Sequence, residues 1–98
     1  MEREEIEAMW ERIRALEENS LKVCKAMAYE SALSTYNLAA IPIGIAGKEK
    51  AYEEYMKPKS DQVEKAIWGA ENVDEVVQLL RNFNFDCLAF VQSVVGHG

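Results

Sequence analysis

Residues 3–18 read REEIEAMWERIRALEE, and this stretch decides the fold class. Its apolar residues fall within about 120° of a helical projection, and its charged residues fill the rest. Those apolar residues are Ile6, Met9, Trp10, Ile13 and Leu16. Such spacing is typical of an amphipathic helix that packs by one face. The sequence therefore predicts a helix over residues 3–18.

The next stretch, LKVCKAMAYESALSTYNLAAI at residues 21–41, is also expected to be helical, but it is apolar on almost every side. Asn19-Ser20 can cap a separate helix over 20–41. Because no Gly or Pro occurs between Glu2 and Ile41, the two helices can equally be one. A helix that is apolar all round must be buried, and a 98-residue chain can bury little surface by itself. This favours self-association.

The rest of the chain predicts three further helices. Pro42 is expected to end the preceding helix, and Pro58 to break the next one. Asn72 and Glu75 have the spacing of a helix cap. The predicted helices span 48–57, 61–69 and 73–95, with a break or a strand near Asn82–Phe85 as an alternative for the last. The predicted fold class is thus all-α, a single domain over 1–98 that forms a small bundle of four to five helices. The apolar excess predicts that self-association completes this bundle.

Charge and terminal composition exclude several classes of function. Seventeen acidic against eleven basic residues give a net charge of −6, which argues against nucleic-acid binding. The acidic start of the chain lacks the pattern of a signal peptide, and no stretch has the ~20 apolar residues of a membrane span. A cytoplasmic protein without a membrane partner is expected. Cys24 and Cys87 are then expected to be reduced thiols.

Few residues could support catalysis. The one histidine, His97, lies next to the end of the chain between two glycines, so no Cys–His or Ser–His–Asp site is expected. We predict no catalytic residue, metal site or cofactor. The carboxylates of Glu53, Glu54, Asp74 and Glu75 could serve a carboxylate-dependent hydrolase, but they lie off the apolar faces. An enzyme is therefore only a minor alternative.

The leading hypothesis is a small interaction protein, acting as a subunit, adaptor or regulator through helix faces. The expected partner is a second copy of the chain, in a homodimer or larger assembly, with another protein as the alternative. The contact would involve the 20–41 and 73–95 helices, with Phe85 pointing outward and Asn84 setting the register. The predicted interface residues are Leu33, Asn84, Phe85, Cys87 and Val91.

A second hypothesis is a protein that binds or sequesters a small molecule or nucleotide. Polar and aromatic side chains recur along the 21–41 helix, and such groups can line a pocket with flat apolar walls. The predicted ligand-binding residues are Tyr29, Glu30, Tyr36, Asn37 and Trp68.

Overall fold

The computed structural model describes residues 2–95, which form three helices: α1 (Arg3–Ile45), α2 (Glu49–Gly69) and α3 (Val73–Val95). The all-α prediction is confirmed, and the described residues contain no strand. The prediction of four to five helices is wrong. The expected helices 3–18 and 20–41 are one helix, and so are 48–57 and 61–69.

Both prolines lie inside helices, contrary to the expectation that they end them. Proline has no amide hydrogen, so one carbonyl of the preceding turn loses its helical partner. Pro42 lies in the last turn of α1, and the helix continues beyond it with the Ala46 N–H donating to the Pro42 carbonyl at 3.0 Å. In α2, Met56 and Ile67 are both fully buried on either side of the exposed Pro58. Packing on both sides keeps α2 continuous.

The turn after α1 reverses the chain through a Schellman motif. The Gly47 N–H donates to the Gly44 carbonyl and the Lys48 N–H to the Ile43 carbonyl, both at 3.0 Å. Gly47 has a φ of 76°, a left-handed conformation that favours glycine. The turn therefore sends α2 back along α1.

The helix cap predicted at α3 is confirmed. The Asn72 side-chain oxygen accepts the Glu75 N–H at 2.9 Å, and the Glu75 carboxylate accepts the Glu71 N–H at 2.8 Å. These two bonds satisfy backbone donors that have no partner within the helix. They fix the point at which α3 begins beside α1.

The three helices form an up-down-up bundle around one elongated core. Ala28 of α1 packs with Val76 near the start of α3, and Ile43 with Cys87 further along both helices, so α1 and α3 run parallel. Tyr52, Met56 and Ile67 fill the space from α2.

Residues 2–20, by contrast, are all exposed. We call helical residues 3–20 the arm; it is about 27 Å long. Its last turns lie beside the start of α3, and the rest projects beyond the bundle. The described chain measures 68 × 22 × 15 Å, which reflects this projection.

Candidate interaction surface

An exposed apolar stripe runs along α1 from the arm to its last residue. Its positions recur at intervals of three and four residues, which keeps them on one side of a helix. Nine positions are large and apolar: Ile6, Met9, Ile13, Leu16, Val23, Met27, Leu38, Ile41 and Ile45. Three are serines: Ser20, Ser31 and Ser34. We call these twelve residues the seam.

The seam is separate from the core of the bundle. The buried positions of α1, such as Ala28, Ala32 and Ala39, lie about 130° around the helix from the seam at an α-helical 100° per residue. All nine large seam residues are at least 40% exposed, and Ile45 is 84% exposed. Together they present on the order of 1000 Å² of accessible surface, whereas the largest apolar patch of a typical monomer is roughly 300–600 Å². The seam therefore exceeds the largest apolar patch that is usual on a monomer.

The seam adjoins a groove between α1 and the start of α3. The groove has a volume of about 630 Å³ and is lined mainly by apolar side chains. On the α3 side its walls are Val76, Val77 and Leu80, and seam residues from Leu16 to Ser31 form much of the α1 side. Further along α3, Leu88 is 60% exposed. We call the seam, this groove and Leu88 together the α1–α3 face.

The predicted interface residues are divided between surface and core. Phe85 is 70% exposed and points outward, and Leu33 is exposed but lies off the seam. Cys87 is fully buried within the chain, and Val91 packs against the same core. Asn84 is half-buried, and its side-chain oxygen has no hydrogen-bond partner among the described residues. No partner could reach the Cys87 side chain without opening the bundle.

The predicted ligand-binding residues lie on other sides of α1. The Tyr29 and Trp68 rings are 6.2 Å apart, and the Tyr36 ring stacks on Tyr52 at 4.9 Å, so these aromatic pairs join α1 to α2. Glu30 and Asn37 are exposed. The structure brings these five residues into pairwise contacts at most, and the large apolar groove contains none of them.

A buried polar contact joins all three helices behind the Tyr36–Tyr52 stack. The Tyr52 hydroxyl donates to the Tyr36 carbonyl at 2.9 Å, and its oxygen lies 3.7 Å from the Cys87 sulfur. Burial raises the pKa of the Tyr52 hydroxyl and of the Cys87 thiol above their usual values. The thiolate is the reactive form of cysteine, and burial disfavours it at Cys87. The Cys87 side chain therefore has a structural role.

The described residues, 2–95, contain no group of three or more side chains placed to hold a metal ion. Glu53, Glu54, Asp74 and Glu75 are all exposed. His97 lies outside the described part of the chain. None of the three helices combines the length and apolar character needed to cross a membrane.

Comparison of the chain with known protein families, with curated proteins and with solved structures finds no match. The function proposed below therefore depends on the geometry and chemistry of the α1–α3 face.

Proposed function

We propose that this chain is a small helical interaction protein that self-associates through the α1–α3 face and acts as a subunit, adaptor or regulator. The observation that carries the proposal is the seam, whose nine large apolar side chains stay exposed along α1. Its exposed surface, on the order of 1000 Å², matches the roughly 800 Å² that each partner contributes to a standard stable interface. Covering it would remove apolar surface from water.

The length of the seam favours a second copy of this chain as the partner. From Ile6 to Ile45 the seam extends about 59 Å, so a helix of similar length is needed to cover it. α2 has 21 residues and α3 has 23, whereas α1 has 43. The α1 helix of a second copy matches the seam in both length and spacing, which supports a homodimer.

Sedimentation velocity at micromolar concentration tests this proposal directly. We expect the wild-type chain to sediment at twice its own mass. Leu16→Glu should sediment as a monomer, because it places a charge on the seam. Ala15→Glu is the matched control, since it adds the same charge to an exposed position on another side of the arm. Circular dichroism should show unchanged helix content for both variants. A monomeric wild type would overturn the proposal.

The groove supports a second candidate function, the binding of a small apolar molecule. Its volume of about 630 Å³ lies within the range of small-molecule sites, roughly 300–1,000 Å³, and its lining is apolar as such sites usually are. Thermal-shift screening of apolar metabolites tests this reading. A ligand at 100 times its Kd should stabilise the fold by about 2.7 kcal/mol. Absence of any shift in both wild type and a Met9→Glu variant, whose charge lies on the seam outside the groove, would exclude it for the compounds screened.

A further inference from the structure

We infer that two copies pair with their α1 helices antiparallel, so that the arm of each lies across the α1–α3 face of the other. This inference rests on the proposed self-association and specifies its geometry. It follows from the spacing of the seam, the sizes of its side chains, the shape of the arm and the distribution of charge.

Ten of the twelve seam positions form pairs that are symmetric about a point between Val23 and Cys24, from Ile6 with Ile41 to Ser20 with Met27. At the centre, Val23 meets the partner's Cys24, which lies beside the seam. In an antiparallel pair centred there, seam positions of one copy therefore meet seam positions of the other in successive layers. The arm contributes half of these layers, with Ile6 against the partner's Ile41 and Met9 against the partner's Leu38.

Side-chain size also fits this register. Three seam positions are serines, and in a parallel pair each would face its own copy and leave the layer underfilled. In the antiparallel register each serine faces a large apolar side chain, which allows the even packing that helix interfaces need. The three layers are Ile13 with the partner's Ser34, Leu16 with the partner's Ser31, and Met27 with the partner's Ser20.

The arm is shaped to contact two helices rather than one. Its apolar sector spans about 120° because Trp10 lies to one side of the seam, whereas a simple two-helix seam is narrower. Trp10 is 58% exposed. On α1 the buried face that contacts α3 lies to the same side of the seam as Trp10. In the antiparallel pair Trp10 would therefore approach the partner's α3.

Charge disfavours pairing the arms with each other. Residues 2–18 contain seven glutamates and three arginines, a net charge of −4, so two arms side by side would repel. The antiparallel register instead places residues 2–18 beside residues 29–45 of the partner. Glu30 is the only charged residue in that segment. The acidic arm then lies against a nearly uncharged surface.

Cysteine cross-linking distinguishes the possible arrangements. In a Cys24→Ala background, Met9→Cys and Leu38→Cys chains are prepared separately, one of them with a tag that changes its mobility. These two positions lie about 44 Å apart on one helix, far beyond the ~7 Å limit on Cα separation for a disulfide, so any bond between them joins two chains. Each variant is oxidised alone, and an equimolar mixture is oxidised after subunit exchange. Non-reducing electrophoresis identifies the products.

We expect a covalent dimer containing one chain of each kind in the mixture, and no cross-link in either variant alone. An Ile6→Cys and Ile41→Cys pair should behave identically. Cross-linking of each single variant to itself would indicate parallel helices and overturn the inference, as would cross-linking of Met9→Cys alone, which indicates arm-to-arm pairing. A chain that sediments as a dimer but gives no mixed product also overturns it, while leaving self-association intact. A monomer overturns both proposals.

Discussion

At the scale of single residues, the Tyr52 hydroxyl is a buried polar group that links all three helices. Tyr52 is fully buried and its hydroxyl donates to the Tyr36 carbonyl of another helix at 2.9 Å. We expect Tyr52→Phe to lower the free energy of unfolding by about 1 kcal/mol, the net value of a typical hydrogen bond. Urea denaturation measures it. Tyr55→Phe, at a half-exposed ring, should change it by less than about 0.5 kcal/mol.

The buried thiol predicts how stability depends on pH. Burial raises the pKa of Cys87 in the folded chain, so the unfolded chain releases this proton first as the pH rises. The stability that the neutral buried thiol gives the folded chain is therefore intact below the unfolded thiol pKa of about 9. Above this pH the free energy of unfolding falls by at most about 1.4 kcal/mol per pH unit.

Urea denaturation between pH 8 and pH 10 tests this dependence. The free energy of unfolding should fall over this interval in the wild type and fall less steeply in Cys87→Ala. Cys24→Ala keeps the buried thiol and should retain the wild-type slope. Equal slopes for all three chains would contradict the assignment.

At the scale of helices, the sequence predicted the class of structure and most of the helical segments but not their continuity. The faces of residues 3–18 and 73–95 and the cap at Asn72 are determined locally, so they could be predicted. The continuity of α1 and α2 could not, because Pro42 and Pro58 disfavour a helix locally and packing outweighs them. In α2 that packing comes from buried residues on both sides of the proline, which only the assembled bundle brings together.

Removing the proline of α2 should therefore stabilise the chain. Pro58→Ala restores an amide donor for the Glu54 carbonyl and removes the ring from the middle of the helix. We expect the free energy of unfolding to rise by about 1–3 kcal/mol, because proline is about 3 kcal/mol less favourable than alanine inside a helix. Thermal denaturation measures the change. Lys57→Ala, at the exposed neighbouring position, should have little effect. A destabilised Pro58→Ala would show that α2 requires the kink.

The cap of α3 is testable at the same scale. Asn72→Ala removes the acceptor of the Glu75 N–H and should lower the free energy of unfolding by about 1 kcal/mol. The matched control is Asn82→Ala, because Asn82 is also exposed but contacts only the side chain of Gln78 in the hydrogen bonds described. Chemical denaturation of both variants should separate them. An Asn72→Ala loss no larger than that of Asn82→Ala would contradict a specific contribution from the cap.

At the scale of the whole molecule, the excess of apolar surface pointed to self-association, but the surface itself was not predictable. Leu38, Ile41 and Ile45 align with Ile6 only if α1 continues through Asn19-Ser20 and through Pro42. If a break is assumed between two helices, the rotation of one relative to the other is unknown. Their apolar residues then cannot be aligned into one stripe. Cys87 is predicted at the interface because it lies on the apolar face of residues 73–95. Its neighbours in sequence cannot show that α2 covers it.

If self-association is linked to folding, thermal stability should depend on protein concentration. For a dimer that unfolds to separate chains, each tenfold rise in concentration adds about 1.4 kcal/mol to the apparent stability. The midpoint of thermal unfolding of the wild type should therefore rise by several degrees between 1 and 100 micromolar, values chosen to span about two decades. The Leu16→Glu variant should unfold at the same temperature throughout. A wild-type midpoint independent of concentration would contradict a dimer linked to folding.

The seam contains two consecutive four-residue steps, from Val23 to Met27 and from Met27 to Ser31, which have a consequence for the shape of such a dimer. A strict heptad pattern has 3.5 residues per turn and makes two helices supercoil to the left. A four-residue step in place of a three-residue one relaxes that twist locally. Over its whole length the seam averages about 3.55 residues per turn, close to the 3.6 of a straight helix. Two α1 helices joined along it would run nearly straight, as a stiff rod with a bundle toward each end.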